Sequence, residues 1–283
     1  MKHYIYGLFS IAILFSQPKF VKSAFKSNRL INMSTTEQLY KGNFEFRVGH
    51  RFGDTYYGIQ DMFGLDQGAS TAIGFDFALS NSLTLGAARM SKGKVYEINT
   101  QYRLFRQKRK AGMPLNISLL AAYNKGTLEG KIDQYFLGQI LLSRKFSRKF
   151  SLQISPFFIQ RMENTFNIKD RPIGAQDIYG LALASRFKVT KRTALMFEYA
   201  LVLNRDAYNE NSLPAFHNEF DAHKLEFNTF SLGYNIEAAG HSFQVFITNS
   251  RAASLISSLM GTNTDFSERH FYLGFNFTRL FEF

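Results

Sequence analysis

Residues 272–283 read YLGFNFTRLFEF: nearly every second side chain is apolar and the last is aromatic. Successive side chains of an extended strand point to opposite faces. Phe271, Leu273, Phe275, Phe277, Phe281 and Phe283 therefore share one face, with Tyr272, Gly274, Asn276, Thr278 and Leu280 on the other. The first face suits lipid and the second a polar lumen. Arg279 falls on the apolar face, where an arginine near a membrane edge snorkels into the headgroups. The run has the form of an outer-membrane insertion signal, with Phe277, Phe281 and Phe283 as its aromatic markers.

The same alternation recurs along the chain with no helical interlude. It predicts an all-β fold, a transmembrane antiparallel up-and-down β-barrel of about twelve strands, most of them near the nine to eleven residues a tilted membrane strand needs. The segments run approximately over 42–52, 69–80, 83–90, 94–105, 115–124, 134–143, 150–161, 177–188, 193–202, 226–236, 241–250 and 268–283. Their connections sort by parity. The odd-numbered ones hold roughly 16, 3, 9, 15, 23 and 17 residues and the even ones roughly 2, 9, 6, 4 and 4. Long loops on one side and short turns on the other is the asymmetry of bacterial outer-membrane barrels.

Composition agrees. With Phe at 31 and Tyr at 14 but neither Trp nor Cys, the chain has an aromatic excess that suits a lipid-facing band. After residue 16 no apolar run approaches the roughly 20 residues of a spanning helix. Residues 5–15, IYGLFSIAILF, follow Lys2 and His3 and read as a secretory signal peptide within residues 1–23, with cleavage after Ser16 or after Ser23. Residues 24–41 form a polar segment expected in the lumen or the periplasm, and residues 42–283 form the barrel. Without cysteines, stability must come from backbone pairing in a closed sheet. The net charge of +12 sits in short turn-like clusters, such as RQKRK at 106–110, which argues against nucleic-acid binding.

Several stretches carry a resemblance: RLINMSTTEQLYKGNFEFRVGHRFGD from Arg29, FGLD from Phe63, YEINTQYRLFRQ from Tyr96 and GFNFTRLF from Gly274, with HRFG at 50–53 the most specific. The chain resembles an uncharacterised family of bacterial outer-membrane β-barrels. The resemblance implies a single barrel in the outer membrane of a Gram-negative bacterium, and no substrate or catalytic residue.

Projecting the alternation inward places Glu45, Arg47, Arg51, Asp76, Glu97, Asn99, Gln101, Arg103, Arg186 and Glu198 in the lumen. Four acids facing four arginines suggest a paired internal network; the functional alternative is a constriction selecting a small polar or zwitterionic solute. Expected partners are outer-membrane lipid, the barrel-assembly machinery and such a solute. No cofactor and no enzymatic activity are expected. His50, Arg51 and Asp54 are expected to fix the loop that follows the first strand. His217, Glu219, Asp221 and His223 match no zinc spacing. Ser267 with His270, and His241 with Ser242, would be the handles of a lipid hydrolase, but each pair points to opposite faces of a strand. Residues 251–260, RAASLISSLM, suit a short amphipathic helix that caps the pore.

Overall fold

The computed structural model describes residues 20–109, 112–128, 131–164, 177–205 and 226–283. Twelve strands form one sheet: β1 Phe44–Asp54, β2 Ser70–Ser80, β3 Leu83–Met90, β4 Tyr96–Phe105, β5 Asn116–Leu128, β6 Lys131–Lys145, β7 Phe150–Asn164, β8 Ile178–Lys188, β9 Thr193–Val202, β10 Thr229–Ala238, β11 His241–Thr248 and β12 Tyr272–Phe281. Each strand pairs antiparallel with its sequence neighbours, and β12 returns to β1 to close the barrel. Closure leaves no sheet edge to meet lipid unpaired. The seam is apolar outside, where the Phe44 ring lies 5.8 Å from Phe281 and 5.6 Å from Phe75. Among the described residues no helix is long and apolar enough to cross a membrane; the chain crosses with strands.

Alternation decides which face each residue takes. In β12, Gly274, Asn276 and Thr278 are buried while Phe275 and Arg279 are exposed. The Arg279 guanidinium lies 4.8 Å over the Phe281 ring, so its charge leaves the apolar band along an aromatic face. In β5 and β6 the pairing runs further than the apolar alternation does, leaving only residues 129–130 between them. The ladder is made of backbone groups, so Lys125, Gly126 and Thr127 continue it without apolar side chains.

The interior has two unlike walls. On β5–β9 the inward side chains are largely apolar, among them Leu137, Leu141, Ile159, Ile178 and Met196, each no more than 2% exposed. On β1–β4 and β10–β12 they are largely polar, with Glu45, Arg51, Asp76, Glu97, Asn235 and Asn276 buried. A bare polar wall would hold water; here two segments of the chain fill the space between the walls.

Candidate functional site

The first filler is a hairpin finger over residues 28–35. Leu30 N–H donates to the Met33 carbonyl at 2.9 Å, Thr35 N–H to the Asn28 carbonyl at 2.8 Å, and Arg29 bridges Ser34. Its apolar side chains, Leu30, Ile31 and Met33, join the apolar cluster of the barrel wall. The N–H groups of the tip converge on a single carboxylate. Glu198 on β9 accepts from the backbone N–H of Ile31 at 2.8 Å, Asn32 at 2.9 Å and Met33 at 2.9 Å. Successive N–H groups curled around one anion form a nest, and each is a donor that burial would otherwise leave unpaired.

Glutamines position the base of the finger. Gln101 Nε2 donates to the Thr35 carbonyl at 2.8 Å and Gln153 Nε2 to the Ser34 carbonyl at 2.8 Å, while Thr36 N–H donates to Gln153 Oε1 at 3.0 Å. Glu37 Oε1 accepts from the N–H of Ala24 at 2.6 Å and of Phe25 at 3.1 Å. Burial pushes the Glu37 carboxyl above the ordinary carboxylate range, opposed by those two donors.

The second filler is α1, Leu255–Leu259, in the connection between β11 and β12. Ser254 caps it, accepting from Ser257 N–H at 3.0 Å, and Leu255, Ile256 and Leu259 are fully buried within the apolar cluster. It is shorter than residues 251–260, because only the turn that contacts the wall is held helical. Glu97 ties both fillers together. One of its oxygens accepts from Leu255 N–H at 2.8 Å and the other from the Arg29 guanidinium at 3.2 Å.

Of the eight projected charges, Glu45, Asp76, Glu97, Arg51, Arg186 and Glu198 are buried and Arg47 and Arg103 partly so. Among the described residues only Arg47 and Asp76 bond each other, at 3.0 Å. The remaining charges bond elsewhere: Glu45 accepts from Ser27, Arg103 donates to the Asn81 carbonyl, and Arg186 pairs with Glu237. The internal network is thus divided: Arg47 with Asp76 and Arg186 with Glu237 pair within the wall, while Glu97, Glu198 and Arg51 bond the finger. Arg29, Asn32 and Asn276 complete it. No alternation marks the finger residues, and Asn276 was legible as inward but not as a finger contact. Burial and then the charge of Arg47 lower the Arg29 guanidinium, with Glu97 opposing.

The outer rim differs from the expected cluster. His50 faces outward and stacks on Phe275 at 5.2 Å, while Arg51 enters the lumen, because neighbours on a strand take opposite faces. Asp54 and Gln67 hold the loop instead: Gln67 Oε1 accepts from Asp54 N–H and its Nε2 donates to the Asp54 carbonyl, both at 3.0 Å. His270 Nδ1 lies 2.6 Å from Asp54 Oδ2, whereas Ser267 Oγ donates to Asp265. His241 contacts the Ala239 carbonyl while Ser242 donates inward to Asn235, so no described hydrogen bond joins either serine to its histidine. The segment containing His217, Glu219, Asp221 and His223 lies outside the described residues, as do residues 1–19, most of the stretch expected to be a signal peptide. Among the described residues no three His, Asp or Glu side chains converge as metal ligands.

The barrel fold recurs in a solved porin. The NanC porin superposes with a TM-score of 0.51 at 7% identity, covering 85% of this chain and 100% of that one. Omp33 of Acinetobacter baumannii gives 0.41 at 9% identity over 86% and 100%, and an outer membrane channel from Pseudomonas putida F1 gives 0.38 at 12% over 87% and 98%. No curated protein matches the sequence. The family model described as membrane bound beta barrel domain (DUF5777) matches residues 25–281. A closed twelve-stranded barrel with a lipid-facing exterior and a polar-walled interior, this chain belongs to that family of membrane-bound β-barrels and resides in the bacterial outer membrane.

Proposed function

We propose that the barrel is a narrow passage and binding site for a small polar solute, closed at rest by its own finger and α1. The observation that carries this reading is the manner of closure. The finger meets both walls through side-chain hydrogen bonds, and the N–H groups of its tip converge on one carboxylate, Glu198 of β9. Such contacts exchange for water or solute more readily than a packed apolar core does. Displacing finger and helix would leave a lane between β1–β4 and β10–β12, lined by Glu45, Arg47, Arg51, Asp76, Glu97 and Asn276. Opposed guanidinium and carboxylate groups there would orient a dipolar solute. The terminal aromatics Phe277, Phe281 and Phe283 serve in this reading as the signal taken up by the barrel-assembly machinery.

Liposome swelling tests the proposal. Vesicles carrying the intact protein are expected to admit small polar solutes slowly, and vesicles carrying Glu198→Ala at least tenfold faster, with large oligosaccharides excluded from both. A second reading, a non-conducting barrel, draws support from the apolar cluster that finger, α1 and wall share. Impermeable vesicles with both proteins, each still running as a heat-modifiable barrel, would establish that reading and overturn the first.

A further inference from the structure

Between the inner faces of β1–β3, the finger and Ala253 lies a cavity of about 20 Å³, room for one water molecule or a monatomic ion. Three guanidiniums line it, those of Arg29, Arg47 and Arg51, against one carboxylate, Glu97. Two of the three are matched: Arg29 by Glu97 and Arg47 by Asp76 behind it.

Arg51 is not. It is 2% exposed, its Nη1 donates to Asn276 Oδ1 at 3.0 Å and its Nη2 to Asn32 Oδ1 at 2.6 Å, and its Nε has no partner. Both amides are pinned with their oxygens toward it, since Asn32 Nδ2 donates to Ser231 and Asn276 Nδ2 to the Ile31 carbonyl and Gln244. Glu198 attracts Arg51 from further off, but its oxygens are occupied by the three finger N–H groups. Among the described residues no carboxylate comes within ion-pair distance of Arg51. A buried cation held only by neutral amides and the 4.8 Å approach to the Phe246 ring is short of counter-charge.

The floor is shaped for these groups. A Cβ added at Gly49 would stand 2.6 Å from Arg51 Nη1, and one at Gly74 would stand 2.8 Å from Arg47 Nη2, so both guanidiniums lie against glycine backbone and leave the cavity open above them.

We propose that this cavity binds a small monovalent anion of halide size, held by Arg51 with Arg47 and Arg29 around it. The anion supplies the missing counter-charge and an acceptor for Nε; a water molecule supplies only the acceptor. A space with room for about one water molecule favours a monatomic anion over sulfate or phosphate. The site lies in the lane proposed above and rests on that reading for any role in passage, but binding itself requires only the closed barrel.

Crystals of the intact protein grown in bromide test it by anomalous scattering. A bromide peak among Arg51, Arg47 and Arg29 is expected, together with its loss in Arg51→Met. A peak of water density without anomalous signal, or a bromide peak unchanged in Arg51→Met, would overturn the proposal. Should Arg51→Met fail to fold, thermal unfolding of the unaltered protein decides: the midpoint should rise with bromide more than with sulfate at matched ionic strength, and equal rises would overturn it. Bromide bound in a protein whose vesicles stay impermeable would keep the site and remove the passage. Permeation without bound bromide would do the reverse.

Discussion

Single residues carry opposite duties in this barrel according to the parity of their position. Glycine marks where two parts of the molecule touch most closely. A Cβ at Gly180 would stand 2.0 Å from the Phe157 ring and 2.5 Å from the Leu201 carbonyl oxygen, and the latter is backbone that cannot move aside. Gly180→Ala should therefore cost about 1–3 kcal/mol, as overpacking of a filled interior does, read as a lower temperature of barrel unfolding on heat-modifiability gels. Glu37 yields a pH prediction. Its carboxyl is raised in the folded state, so its contribution is fully present below the unfolded value and is lost as pH rises through the folded one. Thermal stability should then decline with pH above the ordinary carboxylate range, and Glu37→Gln should flatten that part of the profile; superimposable profiles would contradict the assignment. Parity made the wall charges legible from sequence. It could not show their partners, because Arg29, Asn32 and Glu37 belong to a segment with no period to read.

At the scale of elements, the strands and a short helix within residues 251–260 were legible, and residues 24–41 had a place in the lumen as one of two alternatives, but the hairpin form of the finger and its contacts were not. β3 and β9 run over the residues that alternation marks, since the apolar face ends where the membrane does. β5 and β6 pair further, because backbone pairing outlasts the apolar pattern. The finger is held by side chains distant in sequence, such as Gln101, Gln153 and Glu198, so local propensity says nothing of it. Its docking is open to a covalent test, since the chain has no cysteine of its own. Thr36 Oγ1 and Ser143 Oγ lie 2.5 Å apart. The pair Thr36→Cys and Ser143→Cys should form a disulfide on oxidation, raise the unfolding temperature and slow solute entry in the Glu198→Ala background, with both effects lost on reduction. Absence of the cross-link in the folded barrel would place the base of the finger elsewhere.

The whole molecule reads as a cylinder with one apolar and one polar inner wall. The apolar wall and the lipid face make it stable; the polar wall, closed by a finger and a helix, makes it specific. The twelve-strand count and the outer-membrane location were in the sequence because lipid, lumen and loop length impose independent patterns that agree. Closure was not, because twelve strands suit either a filled or an open interior. Glu198 concentrates the question: its removal leaves three buried N–H groups without an acceptor, at about 1–3 kcal/mol each, which loosens the fingertip while the strand ladder keeps the barrel intact. Single-channel current across a planar bilayer is the direct measurement. The intact protein should be silent or open only briefly and Glu198→Ala should give long-lived small channels. Large steady channels from the intact protein, or silence from a folded Glu198→Ala barrel, would contradict the account.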